Sequence, residues 1–578
     1  MTYNVLAINP GHNGSAALVC DGKLELYIEE ERMSRMKYDG NPFRAMMYII
    51  ERYHINELII GGTGQERHQL PWTGEDSYTA LVRKYYPDVK IITAGSEHHM
   101  GHAAGAFHSS GFETAAAVIV DGCGSLKSIN LDPNNPNSTI NAYETETIYS
   151  CSYDEITTVF KRLSNNNIPR IINNDTEIDG TVTTVKAYEG VSEYLGFGYI
   201  EAGKTMGLAP YGKKDSNIPD LFYQDTGRGD KNVFIPNYPA GSLIDTERFP
   251  YLIRKNDPRE WHRDPSKVTD AAKNLAWKVQ KETQEFVGDL IEKAVDITGE
   301  KNIVISGGYG LNCVANYYFK ERFPELNIFV DPVSHDGGTS IGLAKYFAYK
   351  YAKENDLEYE KDPLTTLYLG PKYEYTVEDL EYFKDIEISD ANASSVAKLI
   401  SEKNIVAMFQ GRAEAGPRAL GNRSILYDPT DTNGKDFVNT VKGREWFRPF
   451  AGTVLKEYGQ EWFDLRGMEE TPFMMYAVEL QSKAIGELPA ITHVDGTCRV
   501  QTVSEEQNKH YYDLISEFHK LSGVPVLFNT SFNLAGEPLV EELKDAIHTL
   551  RNSKIEYLYL PELGKLVTLK NVEETTEE

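Results

Sequence analysis

Thr93 to Ser125 reads TAGSEHHMGHAAGAFHSSGFETAAAVIVDGCGS. His98 and His102 stand four residues apart in a run compatible with helix. The two imidazoles then share one helical face, a common way of offering a divalent metal two ligands. Thr114 to Val120 is a short apolar run that fits a buried strand. Asp121 falls where that strand ends in the glycine turn Asp121-Gly122-Cys123-Gly124. Helix imidazoles, a strand-end carboxylate and backbone N–H groups exposed by glycine together outline a metal–phosphate site. A histidine pair at this spacing also occurs among ordinary core and surface histidines, so the weight falls on its surroundings.

Toward the N-terminus, Tyr3 to Asn9 predicts a buried strand and Pro10-Gly11-His12-Asn13-Gly14-Ser15 a turn. Ala16 to Cys20 is a second strand, Asp21-Gly22 a tight turn, and Lys23 to Glu29 a third strand. Ala115 to Asn130 repeats the scheme as strand, Asp-Gly-Cys-Gly turn, strand. One unit used twice predicts a duplicated fold in which small-residue turns bring backbone N–H groups against phosphate. Glu29 to Asp39, EEERMSRMKYD, reads either as a solvated helix face with ion pairs or, through Lys37, as an anion-binding stretch beside the first turn. Arg44 to Tyr53 suggests an amphipathic helix, and His54 and His68 read as surface residues.

The chain has 578 residues, too many for one core, which predicts two large domains or three. Its 59 basic and 86 acidic residues give a net charge of -27, which argues against nucleic acid as a partner. Cys20, Cys123, Cys151, Cys313 and Cys498 are scattered and form no CxxC pair. They exclude a zinc ribbon and a disulfide framework and suit reduced thiols in the cytoplasm. No signal peptide is read at the N-terminus, and no apolar run approaches bilayer length.

Toward the C-terminus, Asp132 to Asn141 and Asn165 to Asp179 read as loops. Glu201 to Lys213, EAGKTMGLAPYGK, reads as a constrained loop offering Lys204, and Lys214 to Pro265 as an insertion that shapes an acceptor cleft. Val268 to Ile297 is an amphipathic helix with no chemistry. Asn302 to Ser306 predicts a strand closed by Gly307-Gly308-Tyr309-Gly310-Leu311-Asn312, then a helix near Asn312, a nucleotide-binding arrangement. Asp336 follows another strand, either as a second metal carboxylate or as the cap of a helix from Thr339. Lys353 to Asp362 is a charged linker. Arg412, Arg418, Arg423, Lys442, Arg444, Arg448 and Arg499 gather in glycine-rich loops of an acidic chain, which suits bidentate anion capture. The strand Val524 to Thr530 ends in Ser531-Phe532-Asn533, whose polar groups suit an adenylate. Glu541 to Ser553 predicts the last amphipathic helix, and Glu573 to Glu578 an acidic disordered tail.

The ordered series HHMGHAAGAF, DGCG, GKTMGLAPYG, GGYGLN, GRAEAGPRALGNRSIL, KGREWFRPF, HVDGTCRVQTV and FNTSFN resembles the O-carbamoyltransferases of the NodU/CmcH family across almost the whole chain. The resemblance implies an α/β chain. Residues 1–355 would form an actin/sugar-kinase-like domain (ASKHA, duplicated RNase H-like), 356–372 a linker, 373–572 a YrdC-like α/β domain and 573–578 the tail. It implies that the second domain makes carbamoyl adenylate from carbamoyl phosphate and ATP (with Mg2+), and that the first hands the carbamoyl group to a small-molecule hydroxyl. His98, His102, Asp121 and Asp336 would ligate the family's metal, Fe2+. His12 and Lys37 would line the transfer site, and Lys204, Gly307, Gly308 and Asn312 would cradle the adenylate. Arg418, Lys442, Arg444, Arg448, Arg499, Asn529 and Ser531 would hold carbamoyl phosphate and ATP. Tyr38 stands where the family pattern has a histidine, and a homodimer is left open.

Two other readings remain at this point. One is a carbamoyl- or threonylcarbamoyl-adenylate enzyme acting on tRNA or on a protein cysteine. The first version lacks a basic chain and the second lacks zinc-finger cysteines. The other is a nucleotide-binding regulator, which would need neither a metal quartet nor an arginine-lined second site. The acceptor, whether sugar, antibiotic or nucleoside, is not ranked by the residues.

Overall fold

The computed structural model describes residues 3–63, 76–130, 134–135, 138–166, 171–172, 175–222, 233–254, 257–261 and 264–570. His68 and the acidic tail 573–578 lie outside the described residues, as do parts of the 132–141 and 165–179 stretches and of the 214–265 insertion. Two compact units divide the chain: residues 1–34 with 38–365, and residues 366–578 together with Arg35, Met36 and Lys37.

The first unit is built on strands β1 (Asn4–Asn9), β2 (Ser15–Cys20), β3 (Lys23–Glu29), β4 (Glu57–Ile60), β5 (Lys90–Thr93), β6 (Thr114–Val120), β7 (Leu126–Asn130), β8 (Thr139–Ser152), β9 (Ile156–Ser164), β10 (Ile171–Ile172), β11 (Thr176–Asp179), β12 (Phe234–Pro236), β13 (Ser242–Ile244), β14 (Asn302–Ser306) and β15 (Asn327–Val330). One sheet runs β3-β2-β1-β4-β5, and the core path of the other runs β9-β8-β6-β14-β15. In the first, β1–β2 and β2–β3 are antiparallel while β1–β4 and β4–β5 are parallel. In the second, β6–β8 and β8–β9 are antiparallel while β6–β14 and β14–β15 are parallel. Order and polarity match strand for strand. This is the duplicated, actin/sugar-kinase-like arrangement expected for the N-terminal part. Both central strands are buried throughout, apart from the exposed Thr114 that opens β6, and their middles are apolar, Val5 to Ile8 and Ala115 to Val120, as a strand covered on two faces requires.

The helices His98–Ser110 and Thr339–Glu354 cross at close range. A Cβ on Gly342 would fall 1.9 Å from the Gly101 carbonyl oxygen, so only glycine lets the two backbones approach this closely. Phe107, Ala103 and Ala106 of the first helix pack on Ile119 and Val304 of the second sheet. Each fully buried large aliphatic or aromatic side chain of this kind contributes about 1.5–3 kcal/mol.

Several expectations are corrected. The Asp121-Gly-Cys-Gly segment is no hairpin turn: β6 and β7 follow one another along the same side of the long β8. Asp121 and Gly124 still donate their N–H groups to Thr145 and Glu144 of β8, so the break stays tethered. Glu29, Glu30, Glu31 and Arg32 are buried, not a solvated face. Arg32 donates to Glu29, the last residue of β3, at 2.7 and 3.0 Å, and Glu30, in the short helix that follows, accepts the Ala45 N–H at 2.9 Å. Within 165–179, β11 pairs in parallel with β9 because Ile178 has a core to enter. The 201–213 stretch is helical over Ala202–Leu208 despite its glycines; Thr205 meets Ser192 inside, and tertiary packing outweighs propensity. Residues 356–365 group with the first unit. There Leu24 donates its N–H to Asp362 and Leu364 to the Ser109 carbonyl.

The second unit has one ten-stranded mixed sheet. Its strands are β16 (Ile386–Asp390), β17 (Val406–Phe409), β18 (Arg423–Tyr427), β19 (Ala451–Leu455), β20 (Phe463–Asp464), β21 (Ala477–Leu480), β22 (Thr497–Val503), β23 (Val526–Ser531), β24 (Tyr557–Leu560) and β25 (Lys565–Leu569). Their order is β16-β25-β24-β17-β18-β23-β19-β22-β21-β20. Helices Ala393–Ser401 and Lys509–Ser522 turn apolar stripes inward, completing an α/β unit.

Candidate metal centre and anion site

His98, His102, Asp121 and Asp336 each present one ligand atom, all within 4.8 Å of one another and all buried. The two histidines come from the helix that opens at His98. Asp121 ends β6, and Asp336 lies between β15 and the helix from Thr339. Because β6, β14 and β15 are parallel, their carboxyl ends share one edge of the sheet, where open α/β sheets place ligands. The Asp336 side chain does not cap the following helix; only its carbonyl accepts the Thr339 hydroxyl, at 2.6 Å. His98 Nε2 lies 3.5 Å from Asp121 Oδ2 and 3.8 Å from Asp336 Oδ1, and His102 Nε2 lies 4.0 Å from Asp336 Oδ1.

Both ring nitrogens of His98 and Nε2 of His102 are buried with no hydrogen-bond partner. A buried polar atom left unpaired costs about 1–3 kcal/mol; of these, Nε2 of His98 and Nε2 of His102 face the two carboxylates, and that pair fits a cation held between them. Burial opposes charge on His98, but Asp336 and Asp121 overcome it and raise its pKa to about 9. Burial, and then the His98 charge, hold His102 well below the ordinary histidine value. Burial alone would raise Asp121; the nearby His98 and the surrounding imidazoles hold it well below the carboxylate range instead. Two imidazoles and two carboxylates suit a divalent ion of borderline softness.

Other expected residues stand around this quartet. His12, half-exposed on the turn after β1, places Nδ1 3.4 Å from Asp336 Oδ2. Gly308 donates its N–H to Asp121 Oδ1 at 3.2 Å, so the Gly307-Gly308 turn abuts the strand-end carboxylate. Asn312 caps the helix Cys313–Arg322 through Ala315 and exchanges two amide hydrogen bonds with Gln280, so its side chain serves the fold. Lys204 pairs with Glu201 at 2.8 Å. Lys37, with Arg35 and Met36, groups with the second unit. Left-handed backbone at Arg35 and Tyr38 brackets that excursion, and Arg35 donates to the carbonyls of Leu539 and Pro538.

Sequence reading missed Lys186 and Glu189, a buried ion pair at 2.7 Å. They press on the Asp121 turn: a Cβ on Gly122 would meet Glu189 Oε1 at 2.7 Å and Lys186 Nζ at 3.5 Å. The KAYE spacing that carries them matches any surface helical pair, so the sequence held no distinguishing signal.

In the second unit Lys442, Arg444, Arg448 and Arg499 act on one another. Burial lowers the Lys442 pKa well below the ordinary lysine value, and Arg444, Arg448 and Lys37 lower it further. Burial also penalises the charge on Arg444, as do Arg448 and Arg499, while Glu445, which pairs with Arg448 at 3.3 Å, offsets part of it. A guanidinium keeps its proton, so the penalty stands as a demand for an anion. Lys442 donates to the Ser531 carbonyl and lies 3.3 Å from the Ser531 hydroxyl and 3.2 Å from Asn533 Oδ1. Asn529, fully buried, donates to Ala419 O and Thr453 Oγ1 and holds strands together. Arg418 lies on the loop between β17 and β18. Arg412 and Arg423 are corrected from anion ligands to framework: Arg412 donates to the Gly370 and Leu369 carbonyls, and Arg423 is sealed beneath Phe409 with its guanidinium on the Gln410 carbonyl.

Comparison with known proteins adds to this geometry. The family model "Carbamoyltransferase N-terminus" matches residues 72–345, and "Carbamoyltransferase C-terminus" matches residues 397–565. The chain is 30% identical to the nodulation protein NolNO of Sinorhizobium fredii, over 95% of this chain and 78% of that protein. It is 35% identical to the nodulation protein NolO of Bradyrhizobium diazoefficiens, over 63% of this chain and 65% of that one. Among solved structures, full-length HypF in its phosphate- and nucleotide-bound form aligns with a TM-score of 0.35 and 12% identity, over 62% of this chain and 56% of that one. No helix among the described residues is long and apolar enough to cross a membrane. The chain belongs to the carbamoyltransferase family and is a carbamoyl-transferring enzyme.

Proposed function

We propose that the enzyme is an O-carbamoyltransferase that works through carbamoyl adenylate and delivers the carbamoyl group to a hydroxyl of a small molecule. The observation that carries this reading is the second-unit cluster of Lys442, Arg444, Arg448 and Arg499, four cations with the carboxylate Glu445 beside them, which suits a polyanion. Carbamoyl phosphate and ATP (with Mg2+) are the substrates assigned to it. Water cleaves carbamoyl phosphate to carbamate and phosphate. A carbamate oxygen then attacks the α-phosphorus of ATP and pyrophosphate leaves. Lys442, Arg444, Arg448 and Arg499 neutralise the phosphoryl charge during this step.

In the first unit the acceptor hydroxyl attacks the carbamoyl carbon and AMP leaves. His12, half-exposed and beside Asp336, accepts the hydroxyl proton. The backbone around Gly307 and Gly308 holds the adenylate phosphate, while Lys186 and Glu189 keep the Asp121 turn in place. His98, His102, Asp121 and Asp336 would hold a divalent metal, Fe2+ in this reading, which supplies Lewis acidity when bound. The high negative charge of the chain favours a small acceptor over tRNA.

The test is incubation with isotope-labelled carbamoyl phosphate, ATP and panels of sugars, aminoglycosides and nucleosides. Mass spectrometry would look for a product carrying one carbamoyl group in place of a hydroxyl hydrogen. Label appearing in tRNA or protein, and in no small hydroxyl compound, would overturn the acceptor class.

A further inference from the structure

We propose that Ser306 and Asp331 are positioning residues for His102: they fix which ring nitrogen bears the proton and so aim the other at the quartet. Ser306 closes β14 and Asp331 follows β15, its parallel neighbour, while His102 lies on the helix packed over both strands. The Ser306 hydroxyl donates to Asp331 Oδ2 at 3.0 Å, and the same oxygen lies 3.3 Å from His102 Nδ1. A serine hydroxyl has one hydrogen to give. The contact to Asp331 Oδ2 is the shorter of the two, so that oxygen takes the hydrogen. Ser306 is left with a lone pair facing His102, which requires an N–H at Nδ1. The free lone pair of the ring then sits on Nε2, the buried nitrogen without a partner, 4.0 Å from Asp336 Oδ1.

Asp331 is itself fixed. Its Oδ1 accepts the Val333 N–H at 3.0 Å, its own N–H donates to the Ile305 carbonyl at 2.9 Å, and the Ser334 hydroxyl bonds its carbonyl. Ser306, Asp331 and His102 are all buried, so no bulk water competes for the Nδ1 proton. Outer partners of this kind set the tautomer and orientation of metal-binding imidazoles, and removing one weakens metal affinity by about 10- to 100-fold. Neither of the two links is visible in sequence, since the residues lie on separate elements joined only by the fold.

The inference rests on the metal reading of the quartet, and its test separates the two. Full-length protein stripped of metal is titrated with Co2+ and followed by visible absorption, for wild type, His102→Ala, Ser306→Ala, Ser306→Thr and Asp331→Asn. Isotope-labelled histidine reports the His102 tautomer in the metal-free protein by NMR. Expected are Co2+ binding by wild type, its loss in His102→Ala, a roughly 10- to 100-fold weakening in Ser306→Ala, an intermediate loss in Asp331→Asn, and near-wild-type affinity in Ser306→Thr, which keeps the hydroxyl. The Nδ1–H tautomer should dominate in wild type and give way to a mixture in Ser306→Ala. Absence of Co2+ binding in wild type would remove the metal reading, and the tautomer would still decide the positioning role. Wild-type affinity in both Ser306→Ala and Asp331→Asn, or an Nε2–H tautomer in wild type, would overturn the proposal. Should Ser306→Ala fail to fold, Asp331→Asn and the wild-type tautomer carry the test.

Discussion

Replacing Lys442 with methionine separates binding from framework. The ammonium is buried, and its formal partners are the Ser531 carbonyl, the Ser531 hydroxyl and Asn533 Oδ1, all neutral, while Arg444 and Arg448 repel it. Methionine is of similar length and fills the same space. It leaves those acceptors short of a donor, at about 1–3 kcal/mol. It also relieves the burial of one cation among others, a gain of the same order. The two nearly cancel, so the free protein should keep its melting temperature within a few degrees. Binding behaves differently: a charge-assisted contact to a phosphoryl oxygen contributes about 1.5–3 kcal/mol, so affinity for carbamoyl phosphate or pyrophosphate should fall roughly 10- to 150-fold. The assay is thermal melting with and without pyrophosphate, with carbamoyl phosphate titrated against pyrophosphate release. A protein several degrees less stable whose ligand response matched wild type would refute the reasoning and make Lys442 a mere tether for 531–533.

Other consequences can be checked separately. His98→Ala should abolish stoichiometric divalent-metal binding measured by calorimetry, while leaving pyrophosphate binding by the second unit intact. Burial raises the Glu30 pKa to about 7 from 4.5, so the folded protein holds that proton where the unfolded chain has lost it. Stability therefore declines as pH rises from about 4.5 to 7, and Glu30→Gln should flatten that decline by no more than about 3 kcal/mol in denaturant titrations. Gly342→Ala forces a methyl onto the Gly101 carbonyl; it should cost about 1–3 kcal/mol or more by chemical denaturation and weaken metal binding through the shifted histidine helix. His12→Asn should lower the transfer rate by about 100-fold or more while leaving acceptor-free pyrophosphate release unchanged.

What the sequence disclosed was whatever depends on local spacing. His98 and His102 share a helical face because they are four residues apart, Asp121 ends an apolar run at glycine, and Asp336 stands before glycine a few residues beyond another. The four meet because parallel strands deliver their carboxyl ends to one edge. The repeat of a strand-turn-strand unit was anticipated from the sequence; the matching strand order of the two sheets came from the structure, and the second copy uses β8 rather than a hairpin. Residues whose role is set by distant neighbours stayed hidden. Ser306 and Asp331 read as ordinary strand-end residues, and Lys186 and Glu189 as a routine helical pair. Glu29 to Arg32 looked solvated because charge density normally means exposure; only the matched partners beneath β3 make their burial tolerable. Arg412 and Arg423 sat in the right kind of loop for anions, but backbone carbonyls had already claimed them.

The most direct measurement of the central claim is exchange of labelled pyrophosphate into ATP, dependent on carbamoyl phosphate and run without any acceptor. Expected are exchange in wild type, its near loss in Lys442→Met, and its persistence in His98→Ala, whose defect lies in transfer alone. Carbamoyl transfer that proceeds without ATP, or exchange that vanishes in His98→Ala while surviving in Lys442→Met, would contradict it.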